Sequence, residues 1–355
     1  MADTDQRFSG GTRFVVIAAS LVVVIAGLRA ASIIVLPFLA SVFLAMFSLP
    51  ILYWLKRLKL PNPLAVLGTM LFVIAILSGI GLLVGGSVNS FTEAAPLYRE
   101  RLQELTLDLR GWLTAKGIDL TDLGDLELIN AGAVMDLAGN LFRAVTRLLQ
   151  QTATVMLTMT FILLEAAGFP AKLEAALGKN GGLGRFAKVH SEIQRYLGIK
   201  AVISLATGIL VGSWLWGLGV DFPLVWALLA FLMNFIPTLG SLLAAVPAVL
   251  LALVQHGPGR ALAVAIGYLV VNVTLGNFIE PHLMGRRFGL STLVVFLSLV
   301  FWGWVWGPVG MLLSVPLTMI LKILMENSDE FRWLAMLLDA RPPQKPIAGE
   351  AEAGP

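Results

Sequence analysis

Apolar residues fall along this chain in long uninterrupted runs, each bounded by a short charged or proline-containing segment. Runs of roughly 15 to 25 residues match helices crossing a hydrocarbon core about 30 Å thick. The alternation of about 10 residues that marks a membrane β-barrel strand does not occur. Six full spans are predicted, at about 14–28, 32–54, 64–88, 148–165, 198–218 and 261–280. The second apolar run follows the first almost at once, so the first is read as a retained span and not as a cleaved leader.

Charges at the borders orient these spans. Lys56, Arg57 and Lys59 follow the second run and mark a cytoplasmic turn. Parity then puts residues 89–147 outside, brings the chain back inside at the lysines and arginines of 172–195, and leaves both termini cytoplasmic. Span three carries Gly81 and Gly85 in a small-xxx-small spacing. In 89–147, Leu102, Leu105, Leu109 and Trp112 recur at helical spacing among many carboxylates, which predicts a small amphipathic helical subdomain. Its acids alternate with leucines and lack the order of a calcium loop, so they read as a solvated face. Phe186, Val189, Ile193 and Tyr196 share one face, as in an interfacial helix on the cytoplasmic surface before span five.

Two later runs are broken in the middle. PLVWALLAFLMNFIPTLGSLLAAVPAVLLAL (223–253) is too long for one crossing and is interrupted at Pro237, while two arms of about 13 residues each reach only about 20 Å. A re-entrant helical hairpin with its tip at Pro237 to Gly240 fits better. GLSTLVVFLSLVFWGWVWGPVGMLLSVPLTMILKIL repeats the plan, with a tip at Gly307 to Gly310. SLLAAVP aligns with MLLSVP, and PTLG with PVG, after single-residue adjustments. Each half is thus a span followed by a hairpin, and charge parity gives the halves opposite topology, the plan of secondary transporters. The expected fold is an all-α polytopic membrane protein, with about six full spans, two re-entrant hairpins in an inverted repeat and an extracytoplasmic helical subdomain. Its units are 1–88, 89–147, 148–196, 197–254, 255–326 and a cytoplasmic tail, 327–355.

Composition agrees: 57% of residues are hydrophobic and 13% charged, too little polar surface for a soluble chain of 355 residues. The net charge of +3 comes with basic residues clustered beside apolar runs, which signals membrane orientation and not nucleic-acid binding. There is no cysteine, hence no disulfide or thiolate metal site, and His190, His256 and His282 lack ligand spacing. GKNGGLG lacks the Lys-Ser/Thr of a nucleotide loop, which removes an ATP-driven pump. No metal, cofactor or catalytic residue is expected, so the chain is not read as an enzyme.

Candidate chemistry gathers at the breaks. Asn272, Gly276 and Glu280 lie at i, i+4 and i+8 of the last full span, flanked by Thr274 and Asn277. Pro281 is expected to stop that helix and pull Glu280 out of helical geometry. Glu280 is either a binding or coupling carboxylate or the interfacial partner of Arg286 and Arg287. Asn234, Pro237, Thr238 and Gly240 form the first tip, Pro308 and Gly310 the second, where exposed helix ends can hold a polar group. Glu165 and Asp221 are second-rank candidates for ion coupling. Trp302, Trp304 and Trp306 read as packing or interfacial residues.

The motifs NFIPTLGSLLAAVP, GNFIEPHLMGRRFGLSTLVVFLSLVFWGWVWGPVGMLLSVPL and IIVLPFLASVFLAMF together resemble the autoinducer-2 exporter family of bacterial membrane proteins, over residues 14 to 335. The resemblance implies export of a small polar signal, autoinducer-2, by a homopentamer in the inner membrane, with hairpins handling substrate and an elevator-like movement. Carried onto this chain, it singles out the positions around Asn234, Pro237, Thr238 and Gly240, around Pro308 and Gly310, and at Asn277, Glu280 and Pro281. Other relatives are described as sodium or lithium/proton antiporters. Three functions follow: a secondary exporter with self, lipid and signal molecule as partners; a sodium or lithium/proton antiporter working through Glu280, Asp221 or Glu165; and a non-transport membrane scaffold.

Overall fold

The computed structural model describes residues 10–116, 152–166, 172, 183–237, 239–284, 290–326 and 330–339. Thr238, Arg286, Arg287, the remainder of the predicted extracytoplasmic subdomain and the end of the tail lie outside the described residues. All regular structure described is helical: α1 Gly10–Ala30, α2 Ser32–Arg57, α3 Asn62–Ala115, α4 Thr152–Ala166, α5 Leu183–Gly217, α6 Pro223–Met233, α7 Leu239–His256, α8 Pro258–Val271, a π-helical segment Asn272–Ile279, α9 Glu280–Met284, α10 Thr292–Glu326 and α11 Arg332–Leu338.

Six of these stretches are long and apolar enough to cross a membrane: Ser32–Arg57, Asn62–Phe91, Ser191–Gly217, Leu239–His256, Pro258–Leu283 and Thr292–Glu326. The number matches the expectation but the membership differs. Phe14–Ala30 and Thr152–Ala166, expected as full spans, are shorter apolar helices, and their places are taken by one arm of the first broken run and by the whole of the second. The chain is a multi-pass membrane protein. Three of its buried hydroxyls behave as a bilayer requires: Ser41 Oγ donates to the Pro37 carbonyl at 2.6 Å, Ser48 Oγ to Leu44 at 2.8 Å and Thr69 Oγ1 to Ala65 at 2.8 Å. Each polar atom is satisfied within its own helix, so it can be buried without water.

Two predicted boundaries fall inside continuous helices. α3 runs on past residue 88 for 54 residues in all, about 80 Å, so the start of the amphipathic subdomain is the prolongation of span three. α5 likewise takes in the predicted interfacial helix. Ile193 and Tyr196 do not lie on a surface; they are buried with Leu197, Val315 and Met319. An apolar stripe that would suit a membrane surface suits a neighbouring helix equally well, and here α10 covers it.

Both broken runs fold back on themselves. In the first, α6 and α7 are joined through Asn234 to Pro237, and the arms are unequal, 11 and 18 residues. In the second, α10 is helical on either side of Gly307, whose φ of 65° and ψ of −147° reverse the chain; a residue with a Cβ would be strained there. Trp302 Nε1 reaches across to Thr318 Oγ1 at 3.2 Å. Both ends of α10 meet α11, through Ser291 N to the Leu338 carbonyl at 3.1 Å and Lys322 Nζ to Asp339 Oδ2 at 3.0 Å. The arms close around glycine in the same way at both tips: a Cβ on Gly240 would sit 1.7 Å from the Met233 carbonyl oxygen, and one on Gly310 2.0 Å from that of Trp302.

The largest cluster of buried apolar residues surrounds the first hairpin, with Trp226 and Leu229 from α6, Ala244 and Ala248 from α7, Val211 from α5 and Val264 from α8. α6 lies tightly on α5 because Gly208 and Gly212 admit Ala227: a Cβ at either would come within 2.8 Å of it. Gly85, from the predicted small-xxx-small pair, meets no neighbouring atom within 4 Å. A second cluster joins α2, α3 and α4. The second hairpin packs Trp302 and Trp306, stacked at 4.8 Å, against Leu28, Leu36 and Leu39, with Trp306 Nε1 on the Leu28 carbonyl at 3.0 Å. Trp304 faces outward under the Arg29 guanidinium, 5.3 Å from its ring centre.

Candidate functional site

α5 crosses the protein as an apolar helix, yet Lys200, Ser204 and Thr207 are 3%, 0% and 5% exposed. Their spacing of i, i+4 and i+7 places them in one stripe. The stripe is where the broken elements converge. Lys200 Nζ forms an ion pair with Glu280 Oε1 at 2.6 Å, and Asn234 Nδ2 at the first tip donates to Ser204 Oγ at 2.9 Å. Thr207 Oγ1 donates to the Ile203 carbonyl at 2.9 Å, which leaves its lone pairs as acceptors. Ser204 lies 13 residues before the end of α5, about 20 Å along its axis, so the tip docks near the middle of the helix.

Glu280 is delivered by an unusual backbone. Residues Asn272–Ile279 form a π-helix, a wider i→i+5 turn that is rare and concentrates at functional positions. Contrary to the expectation from Pro281, Glu280 is helical, with φ −57° and ψ −50°, and the helix continues to Met284. Widening the turn ahead of the proline relieves the clash of its ring with the carbonyl one turn back, so the chain passes through Pro281 without stopping. The wide turn also rotates the expected polar face. Asn272 is half-buried, with Oδ1 3.1 Å from a Cβ placed on Gly276, while Thr274 and Asn277 are exposed. The carboxylate finds its cation 80 residues away in sequence, at Lys200.

In the sequence Lys200 is one of several charges near a span end, and Ser204 and Thr207 are ordinary polar residues. The signal was a polar i, i+4, i+7 stripe inside an otherwise apolar run. Tyr268 is a further residue that sequence alone does not single out: it is buried, one turn before Asn272, and its hydroxyl has no hydrogen-bond partner among the described residues.

The remaining candidates lie apart from the stripe. Pro237 is half-buried at the first tip and Gly240 is buried against Met233. Pro308 and Gly310 form the second tip, Pro308 exposed and Gly310 buried against Trp302 and Trp306. Glu165 pairs with Lys172 at 2.7 Å, with both side chains more than half exposed. Asp221 belongs to a network at the far end of α5. Its carboxylate accepts from Tyr98 Oη at 2.7 Å and from Gln255 Nε2, and its backbone N–H donates to Gln255 Oε1 at 3.1 Å. Arg101 donates to the Gln255 carbonyl at 3.0 Å and Arg260 to that of Leu218 at 3.3 Å. Burial, and then the hydrogen bond to Asp221, push the Tyr98 hydroxyl up to about 12, so it remains a neutral donor. This network ties the prolonged α3 to both ends of the first hairpin.

Similarity to known proteins extends over nearly the whole chain. The family described as AI-2E family transporter matches residues 18–330. The chain is 38% identical over 331 residues to the AI-2 transport protein TqsA of Escherichia coli K12, covering 92% of this chain and 96% of that protein. It is 37% identical over 331 residues to a putative transport protein of Haemophilus influenzae, covering 90% and 94% of the two chains. It is also 33% identical over 351 residues to the putative transport protein YhhT of Escherichia coli K12, covering 98% and 100%. Matched by this family over residues 18–330 and 38% identical to one relative across 92% of its length, this chain belongs to the AI-2E family of transporters.

Proposed function

We propose that the protein is a secondary transporter exporting a small polar signal molecule of the autoinducer-2 type across the bacterial inner membrane. The carrying observation is the buried polar stripe of α5, which engages the first tip through Ser204 and Asn234 and the π-helical element through Lys200 and Glu280. A buried serine, asparagine and ion pair in the apolar interior are expensive to keep and mark a path for a polar solute. The unpartnered Tyr268 hydroxyl supplies a further hydrogen-bonding group beside the first hairpin. The similarity to TqsA, an AI-2 transport protein, supports the choice of autoinducer-2. In this reading the two span-and-hairpin halves form an inverted repeat, supported by the matching glycine closures at Gly240 and Gly310. Protomers assemble as a homopentamer with both termini cytoplasmic, and a hairpin-bearing unit moves against the oligomeric frame.

A cation/proton antiporter is the second reading, and the partly buried carboxylate of Glu280, ion-paired inside the apolar helices, makes it a better candidate than Asp221 or Glu165. Any cation bound at Glu280 would have to displace the Lys200 ammonium, since that group already occupies the carboxylate. The exporter reading is tested on purified protein in proteoliposomes. Asn234→Leu, which removes the contact to Ser204, is expected to lower autoinducer-2 flux about tenfold, the loss of roughly one good hydrogen bond. Unchanged flux in a properly inserted variant overturns the assignment of the first tip.

A further inference from the structure

A cleft of about 620 Å³ opens between α2 and α5 at the end of the protein that carries Arg57. That volume suits one small ligand. Its α2 wall steps from Arg57 through Trp54 and Pro50 to Phe47, and its α5 wall from Gln194 through Gly198 to Ala201. Both walls follow i, i+3 or i, i+4 spacing, so the next position on each can be read directly. On α5 it is Ser204, which holds Asn234. On α2 it is Phe43, which packs edge-to-face against Phe47 at 4.8 Å and against Phe235 at 6.2 Å. Phe47 itself meets Phe235 at 5.8 Å. Asn234 and Phe235 are consecutive residues of the first tip, and both are buried. The two walls therefore converge on one short segment, whose amide closes the α5 side and whose ring closes the α2 side.

We infer that this cleft is the access vestibule for the transported solute and that Asn234 and Phe235 are its inner gate. The inference rests on the exporter reading and adds to it a route, an orientation and a gate. Lys56, Arg57 and Lys59 beside the mouth assign it to the cytoplasmic face, the side from which an exporter loads. The lining selects a small polyhydroxylated solute: Tyr53 and Trp54 offer aromatic faces to its carbon skeleton, while Arg57 and Gln194 offer donors to hydroxyl or carbonyl oxygens. The solute exchanges its contacts with Gln194 for the level of Lys200 on its way to the gate, and past the gate for Ser204 and Thr207. Lys200 lies one turn beyond Leu197, itself part of the vestibule wall.

The absence of native cysteine makes the test direct. Single cysteines replace Gln194, Ala201, Ser204 and Thr207 in the full-length protein, and a charged, membrane-impermeant thiol reagent is added from the Arg57 side of proteoliposomes. Gln194→Cys and Ala201→Cys are expected to react readily, and Ser204→Cys and Thr207→Cys about tenfold or more slowly, as buried groups do. Adding Phe235→Ala should raise the Thr207→Cys rate by about tenfold, the equivalent of removing one aromatic closure. Thr207 is the decisive deep position, because Ser204→Cys alters the gate contact itself. Autoinducer-2 in the bath should slow the labelling of Ala201→Cys. The inference is overturned if Ala201→Cys resists the charged reagent, as it would with lipid or a second copy of the chain filling the cleft. It is also overturned if Phe235→Ala leaves Thr207→Cys unchanged, or if autoinducer-2 gives no protection. Intact wild-type flux with any of these results removes the vestibule and spares the exporter reading; the expected labelling with no flux removes the exporter reading.

Discussion

Lys200 and Glu280 pose the sharpest question at the scale of single residues, because a buried ion pair can be architectural or can take part in transport. Removing one partner leaves an uncompensated charge, a cost of about 3–5 kcal/mol, whereas replacing both by apolar residues is often neutral. Lys200→Met and Glu280→Leu are each expected to lower the unfolding midpoint of the detergent-solubilised protein, and the double variant to recover it. If the pair serves transport, the recovered double variant remains folded and moves autoinducer-2 about tenfold or more slowly, as when a binding contact is lost. Normal flux in that variant makes the pair architectural. The importance of Glu280 was legible in sequence, since Glu-Pro interrupts an apolar run. Its contact with Lys200 was not: adjacency points to Arg286 and Arg287, which lie outside the described residues, while the fold brings Lys200 from another helix. Asn234 was legible for the same reason as Glu280, but the serine that receives it is an ordinary residue until the tip is placed beside it.

At the scale of elements, the hairpins depend on glycine where a carbonyl comes too close for any side chain. Gly240→Ala and Gly310→Ala must each force the arms apart. Such overpacking costs about 1–3 kcal/mol, while Gly85→Ala, with open space around it, should be neutral or slightly stabilising by helix propensity. Thermal unfolding of the three variants checks this, and equal midpoints would contradict the proposed closure. The breaks at Pro237 and Gly307 could be read from sequence because proline and glycine interrupt otherwise helical runs. The arm lengths could not, since helix ends in apolar sequence lack polar caps. The π-helical turn was also hidden, because composition does not report hydrogen-bond register. The merged α5 escaped for a different reason: the stripe of Ile193 and Tyr196 has the same periodicity whether lipid or α10 covers it.

On the scale of the whole molecule, the two ends of the first hairpin are held by different kinds of contact. Around Asp221, hydrogen bonds from Tyr98, Gln255, Arg101 and Arg260 hold the prolonged α3 and the base of the first hairpin together. At the other end Asn234 and Phe235 of the hairpin tip meet their neighbours through an amide contact and a set of aromatic rings. Movement of the tip against a fixed base is the motion this distribution favours, and it would connect the α2–α5 cleft with the buried stripe of α5. The membrane class and the multi-pass plan follow from hydropathy alone, whereas this asymmetry arises only from contacts between residues distant in sequence. The central claim, that the solute carried is a small polar signal, is met most directly by side-by-side flux in proteoliposomes of the wild-type protein. Autoinducer-2 loaded inside or outside should equilibrate at least about tenfold faster than in protein-free vesicles, with no pH change on adding sodium or lithium. A sodium- or lithium-driven pH change without movement of autoinducer-2 would contradict the account.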